Sequence, residues 1–151
     1  MISKEPYTKS ERHAVFSLAS LYVFRMLGLF MVLPLLSVYA SDLPGATPQL
    51  LGIALGAYGL TQALLQLPLG WLSDRIGRRP VVLGGLVMFI TGSVVAAIAD
   101  DIDDIIIGRF LQGCGAIAAA LTAMAADYTR DSQRTKTMAI IGASVGLSFI
   151  I

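Results

Sequence analysis

Gly70-Trp-Leu-Ser-Asp-Arg-Ile-Gly-Arg-Arg-Pro80 packs four charged side chains into eleven residues, between two stretches that hold none. Those flanks, Leu50–Leu72 and Val81–Ala99, are each about as long as the roughly 20 apolar residues a helix needs to cross a bilayer core. Working outward, Ala14–Ala40 and Ile105–Ala126 qualify too, and a fifth apolar helix starts near Thr137 and runs to Ile151. The composition agrees: of 151 residues, 56 % are hydrophobic and 14 % charged, where a soluble domain carries about a quarter charged. In lipid every backbone polar group must be satisfied within the segment, so these spans are helices. The expected fold class is an all-α membrane protein.

Charge placement orients the spans. Lys4, Lys9 and Arg12 precede the first; Arg75, Arg78 and Arg79 separate the second and third; Arg130, Arg134 and Lys136 separate the fourth and fifth. The two remaining loops hold aspartates (Asp42, then Asp100, Asp101, Asp103 and Asp104) and no lysine or arginine. Short cytoplasmic loops are enriched in basic residues, so the expected N-terminus is cytoplasmic. Residues 1–13 are read as a cytoplasmic segment and 14–151 as a partial helical bundle. The first apolar run is too long for a signal peptide. The fifth is short of a full span, which reads as an N-terminal piece of a longer protein.

Other classes find little support. Net charge is +1, with no basic tract for nucleic acid. His13 and Cys114 are the only residues of their kinds, so a histidine-rich metal site and an intrachain disulfide are excluded. No catalytic residues are assigned, because no Ser/His, paired-aspartate or metal-ligand set lies within a span. Residues 113–118 match the dinucleotide fingerprint GxGxxA, but no strand precedes them.

Polar residues inside the spans are the candidate site. Arg25 has about ten apolar residues on either side, with Tyr22 one turn earlier. Tyr58, Gln62 and Gln66 form a stripe at i, i+4, i+8, with Thr61 beside it. Arg25, Tyr58, Gln62 and Gln66 are expected to line a polar cavity; hydrogen bonding between the first two helices is the competing account. Arg109, Gln112, Gly113 and Ala116 fall on one face of a continuous helix, Gly115 beside them. An intramembrane arginine marks a functional site by default, though Arg109 could also reach toward water. Small-residue pairs (Gly52 and Gly56, Gly115 and Ala119, Gly142 and Gly146) are expected where helix backbones meet. Pro34 and Pro68 could bend their helices.

At the charged turn, Gly70 allows close packing, Asp74 can meet an arginine or a helix N-terminus, and Arg78 and Arg79 can return onto carboxylates or lipid phosphates. Topology-setting charges with a solvated aspartate are the plainer reading. Asp127 ends the fourth span, followed by Arg130, Asp131 and Arg134 at spacings that pair along a helix.

Gly70, Asp74, Arg75, Gly77, Arg78 and Arg79 resemble the signature loop between helices two and three of the major facilitator superfamily. Arg109-Phe-Leu-Gln-Gly-Cys-Gly-Ala116 resembles that family's helix-four motif, RxxQGxGxA. With Arg25-Met-Leu-Gly-Leu-Phe-Met-Val-Leu-Pro34 and Tyr58-Gly-Leu-Thr-Gln62, the likeness runs along essentially the whole chain, toward a branch of bacterial inner-membrane transporters. The resemblance implies the major facilitator fold with an incomplete N-terminal six-helix half: four complete helices and the start of a fifth. It implies a secondary active transporter, an efflux-like and proton-linked antiporter using alternating access. Its partners would be the bilayer, the C-terminal half of the same polypeptide and a small-molecule substrate, without a cofactor. It also implies a conformational latch of Gly70, Asp74, Gly77, Arg78, Arg79 and Asp127. There the aspartate of the turn docks on the C-terminal half, and an arginine bridges to Asp127. All ten acidic residues lie in loops or at helix ends, so a coupling carboxylate would lie elsewhere. The alternative is a small membrane scaffold or accessory subunit complete as given, and a four-helix dimeric pump is disfavoured because no span holds a glutamate.

Overall fold

The computed structural model describes residues 6–39 and 42–148. Lys4, Ala40 and the last three residues of the expected fifth helix lie outside them. Six helices follow in order: α1 (Lys9–Tyr39), α2 (Pro48–Ile76), α3 (Arg78–Ala97), α4 (Ile102–Cys114), α5 (Ala118–Asp127) and α6 (Asp131–Leu147). Four stretches are long and apolar enough to cross a membrane: Lys9–Val32, Pro48–Ile76, Arg78–Ala97 and Ile102–Asp127. Large apolar side chains such as Phe24, Leu67 and Leu83 are exposed, as lipid-facing positions require.

Local chemistry sets the helix starts. Thr8 and Glu11 form a capping box at α1: the Glu11 N–H donates to Thr8 Oγ1 at 3.2 Å, and the Thr8 N–H to Glu11 Oε2 at 2.8 Å. Thr47 is extended and accepts from the Leu50 N–H at 3.2 Å, with Pro48 opening α2. Asp101 caps α4 by accepting from the Asp104 N–H at 2.9 Å.

The charged turn is not a loop. α2 continues through Asp74 and Arg75 to Ile76, α3 begins at Arg78, and Gly77 alone connects them at φ +99°. That conformation is strained for any residue with a Cβ, so glycine at this position has a backbone reason. Extending the helices into the charged segment satisfies backbone groups that a long loop would leave to solvent.

The expected fourth span is present, but its helix is interrupted. α4 stops at Cys114 and α5 opens at Ala118, so Ala116 does not continue the Arg109 face. The break tightens through Gly115 N–H to Gln112 O (3.1 Å) and Ile117 N–H to Gly115 O (2.8 Å). It turns Ile117 fully inward, against Gly85, where a Cβ would overlap the isoleucine. α6 begins at Asp131, six residues before the expected Thr137.

Two compact units make up the chain: Leu33–Ala120, and Met1–Val32 together with Leu121–Ile151. In the first, α4 packs on both α2 and α3. Glycines make that approach possible. A Cβ on Gly113 would lie 2.7 Å from the Tyr58 carbonyl oxygen, and one on Gly108 2.8 Å from Ala96 Cβ. The expected pairs Gly52/Gly56 and Gly142/Gly146 face open space instead. Periodicity identifies small faces, but only the register of the neighbouring helix decides which are used. In the second unit, Tyr22 of α1 reaches α5, its hydroxyl 2.8 Å from Thr122 Oγ1.

Candidate functional site

Arg109 lies in the middle of the α2–α3–α4 packing and is 2 % exposed. Its Nη1 donates to Gln112 Oε1, one turn along α4, at 2.7 Å. Gln112 Nε2 donates to Ser93 Oγ on α3 at 2.9 Å, and Ser93 donates to the Phe89 carbonyl at 2.8 Å. On the α2 side, the guanidinium carbon stands 4.7 Å from the centre of the buried Tyr58 ring. One arginine therefore joins three helices.

Magnitudes show why it needs all of these partners. Even at the centre of a spanning helix, where the cost is greatest, an arginine costs about 2.5–3.5 kcal/mol on insertion scales. A hydrogen bond to a charged group returns about 1.5–3 kcal/mol, and a desolvated cation–π contact up to about 2 kcal/mol. The two together roughly offset the burial. Arg109 Nε nevertheless has no hydrogen-bond partner among the described residues. The site holds one unspent, buried donor.

Gly113 follows Gln112 and seats α4 against Tyr58 and Thr61. Thr61 is buried and returns its hydroxyl to Ala57 O at 2.7 Å. Of the expected stripe, Tyr58 meets Arg109 directly, while Gln62 and Gln66 are half-buried further along α2. Gly115 belongs to the helix break. Arg25 is buried in the other unit, one turn from Tyr22. Ser93, which completes the chain of hydrogen bonds, was missed; a serine after Gly92 in an otherwise apolar span was the available signal.

At the α2–α3 corner, Arg78 Nη1 pairs with Asp74 across Gly77 and donates to Ser73 Oγ at 2.8 Å. Ser73 is buried and donates to Gly70 O at 2.6 Å. Gly70 meets Ala119, where an added Cβ would sit 3.4 Å from the alanine Cβ. Arg75 stacks on Trp71, 3.9 Å from the ring centre. Gly70, Ser73, Asp74 and Arg78 thus form one connected corner, with Arg79 in the first turn of α3. Asp127 ends α5 in the other unit.

That second unit has a basic–acidic junction of its own. Arg130 holds Glu11 through Nε to Oε1 (2.9 Å), Nη2 to Oε2 (3.3 Å) and its backbone N–H to Oε1 (3.1 Å). Its Nη2 also reaches the Pro6 carbonyl at 3.1 Å. Tyr7 OH lies 3.0 Å from Thr137 Oγ1, and Lys136 Nζ lies 4.6 Å from the Tyr7 ring centre. Arg134 pairs with Asp131 at 2.8 Å, one helical turn away as the spacing predicts. Among the described residues, no group of three or more His, Cys, Asp or Glu side chains could hold a metal.

Spanning helices joined by a buried arginine, with a charged glycine corner between the second and third, define a polytopic membrane protein. The chain belongs to the Major Facilitator Superfamily, whose model matches residues 18–151. It is 56 % identical over 144 residues to the inner membrane transport protein YajR of Escherichia coli, covering 95 % of this chain and 32 % of the relative. A protein of Buchnera aphidicola described as an uncharacterized transporter is 41 % identical over 141 residues, covering 93 % and 36 %. The quinolone resistance protein NorA of Staphylococcus aureus is 28 % identical over 127 residues, covering 83 % and 32 %. The chain thus spans about a third of the length of these curated relatives.

Proposed function

We propose that these helices belong to a proton-linked, efflux-like secondary transporter of a bacterial inner membrane, working by alternating access once joined to a C-terminal half. The observation that carries the reading is Arg109: buried, braced by Gln112 and Tyr58, with its Nε unpaired among the described residues. Such a donor suits transient contact with a substrate acceptor or a carboxylate in one state of the cycle, since a fixed structural arginine would have its donors satisfied. Family membership and transporter relatives support the same class. Quinolone resistance in one relative suggests amphipathic drugs as the first substrates to try.

On this reading the corner of Gly70, Asp74, Gly77, Arg78 and Arg79, with Asp127, is one jaw of a latch. The Arg78 pair holds the Asp74 carboxylate at the helix end, where a further helix could meet it. The N-terminus and the α2–α3 corner are assigned to the cytoplasm from their basic residues. Residues 1–151 alone would insert without transporting, because the substrate site of this fold lies between two halves.

The test uses the full-length protein in proteoliposomes, with internal pH followed while quinolones and cationic dyes are added. Substrate-dependent proton movement that disappears in Arg109→Gln supports the reading. Substrate flux that leaves internal pH unchanged removes the proton linkage, and flux unaffected by the substitution removes Arg109 from the mechanism.

A further inference from the structure

Glu11 is buried in the first turn of α1, and its two carboxylate oxygens serve two different helices. Oε2 accepts from the N–H of Thr8, the residue that caps α1, at 2.8 Å. Oε1 accepts from the N–H of Arg130, which stands at the cap position of α6, at 3.1 Å. Arg130 places no side-chain hydrogen bond of its own on the first turn of α6. The acceptor at that helix start comes instead from a residue 119 positions earlier. The Arg130 guanidinium closes the arrangement, with Nε on Oε1 at 2.9 Å and Nη2 on Oε2 at 3.3 Å.

The chemistry calls for a carboxylate. A helix start leaves backbone donors without intrahelical partners and carries partial positive charge, so two starts that converge attract one anion. A carboxylate has two acceptor oxygens, one for each N–H, and still accepts from the guanidinium; a glutamine amide has a single acceptor oxygen. Neighbouring contacts tie the strap before α1 to the same turn of α6. The Pro6 carbonyl accepts from Arg130 Nη2 at 3.1 Å, Tyr7 OH lies 3.0 Å from Thr137 Oγ1, and Lys136 covers the Tyr7 ring. Thr137 is fully buried, so lifting the strap would take the tyrosine hydroxyl from a polar group with no access to water. All of these contacts lie within one unit, between residues 6–11 and 130–137.

We propose that Glu11 is a cap shared by α1 and α6, and that this corner is a brace that stays closed through the transport cycle, carrying the first turns of the two helices as one piece. Opening it would uncap both helices at once and unpair Thr137 together with them. The cycle is that of the transporter role proposed above; the shared cap stands without it.

Hydrogen–deuterium exchange of the full-length protein in detergent tests the cap. In the wild type the Gln133 and Arg134 amides donate to the Arg130 carbonyl, so they report on this helix start. Glu11→Ala should speed exchange at Arg130, Gln133 and Arg134, and in the first turn of α1, by about fivefold, the factor that loss of a helix cap allows. Glu11→Gln should speed it at α6 alone, because its one amide oxygen stays with Thr8, three residues away on the same helix. Unchanged exchange at Arg130 in both variants would overturn the shared cap. Replacing Tyr7 with p-azidophenylalanine tests the brace, since the azide stands where the hydroxyl meets Thr137 and light should join it to the peptide holding Thr137. The reconstituted full-length carrier should transport as well after crosslinking as before. Flux lost in proportion to the crosslinked fraction would show a corner that must open, and would overturn the brace. Flux missing before illumination would count against the transporter role and not against the cap, which exchange decides alone.

Discussion

Arg109 and Gln112 share a 2.7 Å hydrogen bond one turn apart on α4, and Gln112 passes that constraint on to Ser93 of α3. The glutamine amide is the hinge of the arrangement. Its oxygen accepts from the cation and its nitrogen donates to the neighbouring helix, so its orientation is fixed from both sides. Gln112→Leu should therefore destabilise the purified protein by about 1–3 kcal/mol, the cost of leaving a buried donor unmet. Gln112→Glu should keep the contact to Arg109 while losing the donation to Ser93. Thermal unfolding in detergent should rank wild type above the glutamate variant and leucine lowest. Equal melting temperatures for all three would show the chain of bonds to be idle.

Ser93→Ala removes the far end of the same chain. Ser93 is half-buried, so the stability loss should be smaller, about 0.5–1.5 kcal/mol, the net worth of an ordinary hydrogen bond. The double variant with Gln112→Leu should be no worse than Gln112→Leu alone, since both act on one bond. Additive losses in a double-mutant cycle would place the two residues in separate roles.

Glycine substitutions should divide by geometry and not by spacing. Gly113→Ala puts a Cβ 2.7 Å from a backbone carbonyl oxygen that cannot move alone, and should cost about 1–3 kcal/mol by overpacking. Gly142→Ala meets nothing within 4 Å and lies inside α6, so its effect should be neutral or stabilising by up to about 1 kcal/mol. The midpoint of thermal inactivation distinguishes them. A reversed order would mean that α4 and α2 are further apart than described.

Glu11→Gln weakens the junction with Arg130 but leaves hydrogen-bonding atoms in place, so its melting temperature should fall modestly and raised salt should narrow the gap. Glu11→Ala removes the capping box as well and should fall further, whatever the salt. Arg130→Gln combined with Glu11→Gln should be less harmful than the sum of the two. Salt-independent equality of Glu11→Gln with wild type would make the ion pair a surface accident.

Asp74→Asn tests the latch in the full-length protein. Transport should be impaired at normal expression, because a charge-assisted contact worth about 1–3 kcal/mol is enough to tilt a two-state equilibrium several-fold. Cysteine in place of the exposed Ile76, in a background without Cys114, should be labelled only after the membrane is permeabilised. Labelling from outside intact cells would invert the orientation, and full transport by Asp74→Asn would leave the corner as a topology signal alone.

The sequence by itself determined the class, the spans and the corner. Length of apolar runs is a one-dimensional property, because lipid demands that each segment satisfy its own backbone. The basic residues at 75, 78 and 79 and the arginines within spans could be placed for the same reason. Even the capping box at Thr8 and Glu11 is local, spelled within four residues, although only the folded chain puts Arg130 on it. Tertiary structure alone decided which polar residues meet. Ser93 and Gln112 are nineteen residues apart, and nothing in either segment gives the register of α3 on α4. The break at Gly115 was likewise invisible, since Ile105–Ala126 is apolar enough to read as one helix. It exists where Ile117 finds Gly85, and a cavity that fits one side chain belongs to two helices at once.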